Sequence, residues 1–560
     1  MDLTNANLAT CSAIAEELSR LGVRLAVVSP GSRSTPLAVA FDRQPNIETF
    51  VGIDERACSY LALGAAQVTR TPVVLICTSG TAAANYLPAI TEADLSAVPL
   101  LVLTADRPPE LRGVGAGQAI DQIKIYGDAV RLFVEVGNHP ADDEGLVHAR
   151  SLACRAFAAA AGDPRPGPVH LNFGLREPLA PVPGPVPVEA SSNLALEGRN
   201  ALPLTEVVSV PPRAGQVELG RIGDLLEGRT RFMLVAGRHL DPSVRGPAMA
   251  LANHLGAPVL AEPTSQLRSG AREGDPIVWR YQAVLSDGPA PDALLPDAVI
   301  RIGDMPTSKA LRGMLSSAAD CVQIVIDPEY GWHEPSRIAA MILRLDVSST
   351  LDALAATLPA RDDDSFAEEW LSAQQATLAG ADQTREFDRA AIHRAVRETS
   401  RDGDVVYTAS SLAIRDQEAA TSPDPRDVTF LANRGANGID GLVSSGIGAA
   451  LASGRRTTVI TGDVGFRHDA GALDLLAGLD LDVRILVIND GGGRIFEKLP
   501  QKDSMSPDEF QRRMLAAGEV EAATLAATWG IPATRVDDAE ALAEALEHPG
   551  PLVIEAFPVV

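Results

Sequence analysis

The chain has 560 residues, of which 46% are hydrophobic and 22% charged, a balance typical of soluble globular proteins with about three domains. Acidic residues outnumber basic ones by 73 to 48, and the resulting net charge of -25 excludes nucleic acid and anionic membrane as expected partners. The five cysteines form no CxxC pair, the N-terminus has no signal-peptide pattern, and no apolar run reaches the roughly 18 residues needed for membrane insertion. We therefore expect a cytoplasmic protein with free thiols.

The first third of the chain opens with an amphipathic helix pattern and continues with four apolar runs. These runs are LAVVSP from Leu25, PVVLICTSG from Pro72, PLLVLTADRP from Pro99 and PVHLNF from Pro168. Near-continuous apolar strands are buried on both faces, which is typical of parallel sheets covered by helices. The proline-rich stretch PLAPVPGPVPVEASS, from Pro178, predicts an extended linker after this sheet.

The middle and last thirds repeat the alternation of apolar strands with helical patterns. The strands are RFMLVAG, APVLAEP, AVIRIGD and VQIVIDP in the middle, then DVVYTASS, VTFLANRG, TTVITGDVG, RILVINDGG and PLVIEAF. A second break is expected at ATLPARDDDS, and the helical stretch FAEEWLSAQQATL after it should lead into the third domain. We predict an α/β protein of three domains, each a mostly parallel sheet flanked by helices, over residues 1–180, 193–357 and 370–560.

Two aspartates in the last third predict a metal and diphosphate site. Asp463 and Asp490 each follow an apolar strand and are 27 positions apart, the length of one strand–helix–strand crossover, so they should emerge at neighbouring strand ends. Their carboxylates and the backbone carbonyl of Gly492 suit Mg²⁺, or Mn²⁺, shared with phosphate oxygens. Either motif alone could be an ordinary turn that ends a strand, but the pair at this spacing favours a metal site.

Polar and cationic side chains follow several other strands. They are Ser32 and Arg33 in VVSPGSRSTPL, Arg107 and Gln118 in TADRPPELRGVGAGQAIDQ, Ser411 and Arg415 in SSLAIRDQ, and Arg434 in ANRGANGIDG. The rigid fork of arginine suits carboxylates. Any single arginine could form a domain-pairing salt bridge instead, but four at strand ends in so acidic a chain predict a pocket for polyanionic substrates.

The spacing of Asp463 and Asp490 resembles the GD…N motif of thiamine-diphosphate enzymes, with Asp490 where that superfamily usually has asparagine. Longer motifs are similar to one family within it. SPGSRS, TSGTAAANYLPA, TADRP, GQAIDQ, NRGANGIDG and NDGGGRIF resemble the 2-succinyl-5-enolpyruvyl-6-hydroxy-3-cyclohexene-1-carboxylate synthases of menaquinone biosynthesis. The middle third matches more loosely, through LRSG, TSKALR and DPEYGWHEP. The resemblance implies a transferase that decarboxylates 2-oxoglutarate and adds the succinyl carbanion to isochorismate in a Stetter-like 1,4-addition.

The resemblance also implies roles for individual residues. Glu55, at the start of a small-residue helix, would contact the aminopyrimidine ring of thiamine diphosphate, although an acid there can simply stabilise a helix N-terminus. Ser411, Arg415 and Arg434 would hold the succinyl carboxylate. The residues facing isochorismate would be Ser32, Arg33, Arg107, Gln118 and Lys309, with Gln118 also assisting catalysis; those contacting the cofactor would be Ile439, Gly462, Asp463, Ile495 and Phe496. Ala310 stands where the family often has a second basic residue, and Arg312 is a candidate substitute or is simply exposed.

Superfamily members bind the cofactor between the first-type domain of one subunit and the last-type domain of another, so the resemblance implies a homodimer or a dimer of dimers. One alternative is another carboligase or decarboxylase, such as an acetolactate synthase relative, which would not need several arginine clamps. A second is a non-catalytic protein on the same scaffold, which would not need Glu55, Asp463 and Asp490 together. No strand is followed by the GxGxxG pattern of a nicotinamide dehydrogenase.

Overall fold

The computed structural model contains, in the part of the chain that it describes, three six-stranded sheets flanked by helices. Every strand pair in these sheets is parallel. The described residues are 1–162, 164–185, 187–286, 290–318, 320–329, 331–381, 386–518 and 520–559. One position of the predicted proline-rich linker, 186, and positions 163, 287–289, 319, 330, 382–385, 519 and 560 of the predicted domains lie outside them. The predicted fold class is confirmed.

The first sheet contains the four predicted strands and two that the sequence pattern did not reveal. Its strands are β1 (Leu25–Val28), β2 (Glu48–Val51), β3 (Val73–Cys77), β4 (Leu100–Asp106), β5 (Leu132–Val136) and β6 (Pro168–Gly174), in the order β2-β1-β3-β4-β6-β5. Its helices are α1 (Ala6–Arg20), α2 (Thr35–Asp42), α3 (Glu55–Thr69), α4 (Thr81–Asn85), α5 (Leu87–Leu95) and α6 (Asp143–Ala161). The missed strands, β2 and β5, are edge strands with mostly half-exposed side chains, so neither has a continuous apolar run.

The middle sheet has a different strand order. Its strands are β7 (Phe232–Ala236), β8 (Val259–Ala261), β9 (Ile277–Val278), β10 (Ala298–Ile302), β11 (Val322–Ile326) and β12 (Met341–Leu343), in the order β12-β11-β10-β7-β8-β9. The short helix α7 (Asn193–Glu197) packs against α6 of the first domain. The helices of the middle domain are α8 (Gln216–Leu226), α9 (Arg245–Leu255), α10 (Tyr281–Val284), α11 (Lys309–Ser317), α12 (Val347–Thr357) and α13 (Ser365–Ala381). Helix α13, which the sequence suggested as a lead into the third domain, packs on this sheet: the buried Trp370 indole donates to the carbonyl of Leu294 at 3.1 Å.

The third sheet repeats the strand order of the first. Its strands are β13 (Val405–Thr408), β14 (Thr429–Leu431), β15 (Thr457–Gly462), β16 (Val483–Ile488), β17 (Ala533–Val536) and β18 (Leu552–Ala556), in the order β14-β13-β15-β16-β18-β17. Its helices are α14 (Arg389–Thr399), α15 (Leu412–Ala420), α16 (Leu442–Ser453), α17 (Asp463–His468), α18 (Ala472–Leu476), α19 (Pro507–Phe510), α20 (Ala522–Thr528) and α21 (Ala539–Leu546). Across the described part of the chain, no helix has both the length and the apolar character that a bilayer crossing requires.

The first and third sheets are joined through equivalent helices. Helix α3 connects β2 to β3, α16 connects β14 to β15, and the two helices pack on each other. The contact depends on glycine on both sides, because a Cβ on Gly64 would collide with the carbonyl of Ser445, and one on Gly448 with the carbonyl of Leu61. Small residues let two helix backbones approach closely, so this interface fixes the first domain on the third.

A second junction joins the middle domain to the third. Gln266 exchanges hydrogen bonds with the backbone of Phe430, donating to its carbonyl at 2.7 Å and accepting from its amide at 3.1 Å. The fully buried Arg268 donates to the carbonyls of Glu418 and Thr421 at 2.8 and 2.6 Å. These bonds hold α15 and the edge strand β14 against the middle domain.

The tight helix pair predicts opposite effects of the same substitution at two helical glycines. Gly448→Ala should lower the midpoint of thermal unfolding, because the added methyl overpacks the α3–α16 contact at a cost of about 1–3 kcal/mol. Gly220→Ala is the matched control, since Gly220 lies in α8 and an added Cβ would meet nothing within 4 Å, so alanine there should stabilise the helix by up to about 1 kcal/mol. Equal midpoints for the two variants would contradict the close packing.

Candidate active site

A cavity of about 880 Å³ lies between the middle and third domains, at the carboxyl ends of strands of the third sheet. Residues 410–413 after β13, 461–465 at the end of β15 and Asp490 after β16 line one side of it. Residues 304–307 and 332–335 of the middle domain form the opposite wall. Strand order reverses between β13 and β15, and open α/β sheets bind ligands beyond the carboxyl ends of strands at such a reversal.

The two predicted metal ligands lie on neighbouring strands at the floor of this cavity. Gly462 at the end of β15 pairs with Ile488 at the end of β16, which brings Asp463 and Asp490 to the same edge of the sheet. Burial raises the pKa of both carboxyls, and the charge of Asp463 raises that of Asp490 further. Two buried carboxylates that repel each other form a place where a cation is stabilised.

The donor set fits a hard divalent cation that also binds a ligand. Within the described ranges no group of three or more His, Cys, Asp or Glu side chains could hold a metal. An ion beside Asp463 and Asp490 would therefore complete its coordination with backbone carbonyls, water and ligand oxygens, which is the usual way in which proteins bind Mg²⁺.

The glycine-rich loop after β16 is held in place by contacts with the backbone near Leu515. Gly492 has a φ of +122°, and a Cβ there would collide with the carbonyl of Leu515. The neighbouring Gly493 amide donates to the same carbonyl at 2.5 Å, and the Arg494 guanidinium donates to the Asp490 carbonyl at 2.7 Å. The loop therefore needs glycine at position 492 to present Asp490 and its own backbone to the cavity.

The substrate arginines predicted in the last third also line the cavity. Arg415 lies one turn into α15 and donates to the carbonyl of Ser411, which is the residue before the helix. Ser411 has a φ of +74°, an unfavourable conformation for a residue with a side chain, and such strain tends to occur at functional sites. The half-buried Arg434 donates to the Thr307 hydroxyl at 3.1 Å. Cations from helix α15 and from the loop after β14 thus face one cavity.

A buried acidic pair lies behind Arg434. Glu262 accepts from the Thr307 amide at 3.0 Å, and Glu418 accepts from the Tyr281 hydroxyl at 2.5 Å. Burial raises the pKa of Glu418 to about 7, and the nearby Glu262 contributes to the rise. Burial lowers the pKa of Arg434, whereas these acids oppose that shift. The hydrogen bond to Thr307 therefore positions the Arg434 guanidinium, and the acidic pair stabilises its charge.

A carboxylate from the first domain fixes the loop that follows Arg434. Glu92 on α5 is buried and accepts from the Gly435 and Ala436 amides, both at 2.7 Å. It also accepts from the Ser96 hydroxyl at 2.6 Å. Three domains of one chain thus contribute to the position of a single cavity arginine.

The predicted residues of the first domain form a separate group at the carboxyl ends of the first sheet. This group is Ser32, Arg33, Glu55, Arg107 and Gln118. Arg107 donates to the Ser79 hydroxyl, and Gln118 donates to the Ser79 carbonyl at 3.0 Å. Burial lowers the pKa of Arg107, and the charge of Arg33 nearby adds to the effect. None of the five lines the 880 Å³ cavity of the same chain.

The structure thus brings ten of the predicted site residues into one cavity. They are Ser411, Arg415, Arg434, Ile439, Gly462, Asp463, Asp490, Gly492, Ile495 and Phe496. Lys309 is exposed at the start of α11 and does not line the cavity, whereas Arg312, one turn further along the same helix, does.

Arg389 is a cavity residue that sequence reasoning missed. It is the first residue of α14, where the positive end of the helix dipole disfavours a cation. An arginine at such a position indicates a specific acidic partner, and this was the signal that the sequence offered. Thr307 and residues 332–335 belong to the TSKALR and DPEYGWHEP motifs, but these segments are irregular and have no periodic pattern, so the sequence did not place them at a cavity wall.

Comparison with known proteins agrees with this arrangement. Residues 9–125 match the N-terminal TPP binding domain of thiamine pyrophosphate enzymes, and residues 422–556 match the C-terminal TPP binding domain. A 2-succinyl-5-enolpyruvyl-6-hydroxy-3-cyclohexene-1-carboxylate synthase of Haloarcula marismortui is 37% identical over 99% of this chain and 96% of its own length. Proteins of the same name from Listeria welshimeri and Oceanobacillus iheyensis are 35% and 38% identical, over 97% and 90% of this chain and 93% and 86% of their own.

The role of Glu92 can be tested with an isosteric change. Glu92→Gln places an amide group against backbone N–H donors, so it should lower the free energy of unfolding by about 1–3 kcal/mol in denaturant titration. Glu273→Gln, at an exposed position, is the control and should leave the midpoint unchanged. A Glu92→Gln protein as stable as the control would show that the contact to residues 435 and 436 contributes little.

Proposed function

The chain belongs to the 2-succinyl-5-enolpyruvyl-6-hydroxy-3-cyclohexene-1-carboxylate synthase family of thiamine-diphosphate-dependent transferases, and we propose that it decarboxylates 2-oxoglutarate and adds the succinyl unit to isochorismate in menaquinone biosynthesis. One observation carries the proposal. The buried pair Asp463 and Asp490 and the arginines Arg415 and Arg434 face the same cavity, so a metal-bound diphosphate and a dicarboxylic acid can be held side by side.

The cofactor end of the cavity is the Asp463–Asp490 edge. We assign Asp463, Asp490 and the Gly492 carbonyl to Mg²⁺ or Mn²⁺, and the backbone around Gly462 to the diphosphate. The apolar contacts of the cofactor would be Ile439, Ile495 and Phe496, all of which line the cavity. When bound, thiamine diphosphate supplies an electron-accepting centre that stabilises the carbanion left when a 2-oxo acid loses carbon dioxide.

The substrate end of the cavity is cationic, and this selects among 2-oxo acids. We propose that Arg415 and Arg434, with Ser411, hold the distal carboxylate of 2-oxoglutarate. Arginine–carboxylate hydrogen bonds are charge-assisted and geometrically specific, and they are stronger where water is partly excluded. Pyruvate has no distal carboxylate for these arginines, so the cavity favours 2-oxoglutarate over the substrate of an acetolactate synthase relative.

We propose that isochorismate is held by Ser32, Arg33, Arg107 and Gln118, with Lys309 or Arg312 at the middle-domain wall. Isochorismate carries two carboxylates, and Arg33 and Arg107 lie close enough to influence each other electrostatically. The acidic partner of Arg33 in the chain is the exposed carboxylate of Glu177, at 3.3 Å, which an anionic ligand can displace, so the two neighbouring guanidiniums support a dianionic ligand at this place.

Because the first-domain group does not line the cavity of its own chain, the proposal requires a second copy of the chain. Exposed apolar side chains surround this group: Val51, Ile53, Leu111, Val114, Ile120 and Ile123. Ile53 is 74% exposed and lies two residues before Glu55. An exposed apolar patch around polar site residues supports an interface, so we propose a homodimer, or a dimer of dimers, with each site between two subunits.

In such a dimer Glu55 would meet the cofactor bound by the partner. It is half-buried at the first position of α3, and closure by apolar residues of a second subunit would remove it from water. We propose that its carboxyl group there forms a hydrogen bond with a ring nitrogen of the cofactor. Gln118 would orient the acceptor substrate.

The proposed reaction is tested by mass spectrometry of the product. Purified protein with thiamine diphosphate, Mg²⁺, 2-oxoglutarate and isochorismate should yield 2-succinyl-5-enolpyruvyl-6-hydroxy-3-cyclohexene-1-carboxylate and carbon dioxide. Removing the cofactor, the metal with a chelator, or either substrate should abolish this product, because each occupies a separate part of the site. Pyruvate in place of 2-oxoglutarate is the specificity control, and equal turnover of pyruvate would refute the role of the arginine pair.

The shared site predicts complementation between two inactive variants. Glu55→Gln should abolish carbon dioxide release with little loss of cofactor binding, whereas Asp463→Ala should abolish cofactor binding. Mixed and refolded together at equal amounts, the two should regain about a quarter of wild-type activity, because half of the dimers are hybrids with one intact site. A mixture as inactive as its components would show that Glu55 and Asp463 of one chain serve the same site.

A further inference from the structure

Arg389 links the proposed metal site to the substrate helix. Its Nη1 forms an ion pair with Oδ2 of Asp490, and its Nε donates to Oδ2 of Asp416 at 2.6 Å. Asp416 is adjacent to Arg415 on α15, and the three side chains are largely buried, with Arg389 20% and Asp490 5% exposed. One guanidinium therefore bridges two carboxylates at the edge of the cavity.

The need for such a cation follows from the charges on the cavity floor. Asp463 and Asp490 are both buried, and Arg389 acts on both electrostatically, while Arg467 also acts on Asp463 and Arg494 on Asp490. A diphosphate bound beside them would add further negative charge, and one divalent cation would not neutralise two carboxylates together with a diphosphate. An additional positive charge therefore stabilises the site, and among these arginines Arg389 forms a side-chain ion pair with Asp490.

We propose that Arg389 is the counter-ion that allows Asp490 to serve as a metal ligand. The ion pair engages Oδ2 of Asp490, so Oδ1 is the oxygen left for a metal, just as a neutral amide side chain has a single oxygen to offer. Arg389 is a positioning residue in this scheme, acting through Asp490. The inference rests on the proposed function, because it uses the same pair of aspartates as the cofactor-binding edge.

A direct contact between Arg389 and the diphosphate is the competing possibility, since Arg389 also lines the cavity. The two roles differ in what they require of position 490. A counter-ion matters only while position 490 carries a charge, whereas a phosphate ligand matters whatever residue stands there. The dependence on Asp490 therefore separates them.

The experiment is a double-mutant cycle on the full chain with Arg389→Met, Asp490→Asn and the combined variant. Isothermal titration calorimetry measures the dissociation constants of thiamine diphosphate at saturating Mg²⁺ and of Mg²⁺ at saturating thiamine diphosphate. Arg389→Met alone should weaken both by about 10- to 100-fold, the usual effect of removing a partner of a metal ligand. In the Asp490→Asn background the same change should cost less than about threefold.

Three controls make the outcome interpretable. Arg394→Met, on the same helix, removes a guanidinium that is 49% exposed and pairs with Asp388 at 3.8 Å, and it should not change either constant. Arg389→Lys keeps the charge and should lose less affinity than Arg389→Met, which still tests the idea if the methionine variant does not fold. Asp463→Ala should abolish binding; wild-type binding by that variant would refute the proposed metal site itself.

Two results would overturn the role of Arg389. An equal loss of affinity in the wild-type and Asp490→Asn backgrounds would assign Arg389 to the diphosphate directly. No loss in either background, with Asp463→Ala inactive in binding, would leave the ion pair as a purely structural contact and the metal site intact.

Discussion

The structure depends on two buried carboxylates that parallel pairing brings to neighbouring strand ends. The register of β15 with β16 leaves no freedom in where Asp463 and Asp490 emerge, and burial makes their mutual repulsion costly. In the proposed function, a cation at this edge would relieve the repulsion, and a phosphate ligand would complete its coordination shell. The arginines of the cavity extend the same electrostatic logic, because a chain of net charge -25 can bind anions only where cations are locally concentrated.

Precision at this site comes from parts of the chain that are distant in sequence. Arg434 is held by Thr307 from the middle domain, and the loop after it is held by Glu92 from the first. Asp490 is approached from α14 by Arg389. Groups that are buried and hydrogen-bonded keep one conformation, so the cavity is preorganised before any ligand arrives.

Sequence patterns predicted most strands with a long, buried apolar run, but missed the three-residue β12, and the crossover spacing predicted that Asp463 and Asp490 would emerge at neighbouring strand ends. Short or half-exposed strands, such as β9 and β17, carry too few apolar residues to be recognised. Thr307 and Arg389 were missed because long-range contacts give them their roles, and no local periodicity records those. The sequence left undecided whether Arg312 lines the site or is simply exposed. The orientation of α11 places it at the cavity wall.

The close approach of Gly64 to Ser445, and of Gly448 to Leu61, bears on how the protein unfolds. Domains whose sheets share no strand often unfold independently. Here the first and third domains are joined by the backbone contact between helices α3 and α16. The hydrogen bonds of Gln266 join the middle domain to the other two. We therefore expect the whole chain to unfold in a single cooperative step on heating. Fragments cut at the segments between the sheets would accordingly lose contacts that no short linker can replace.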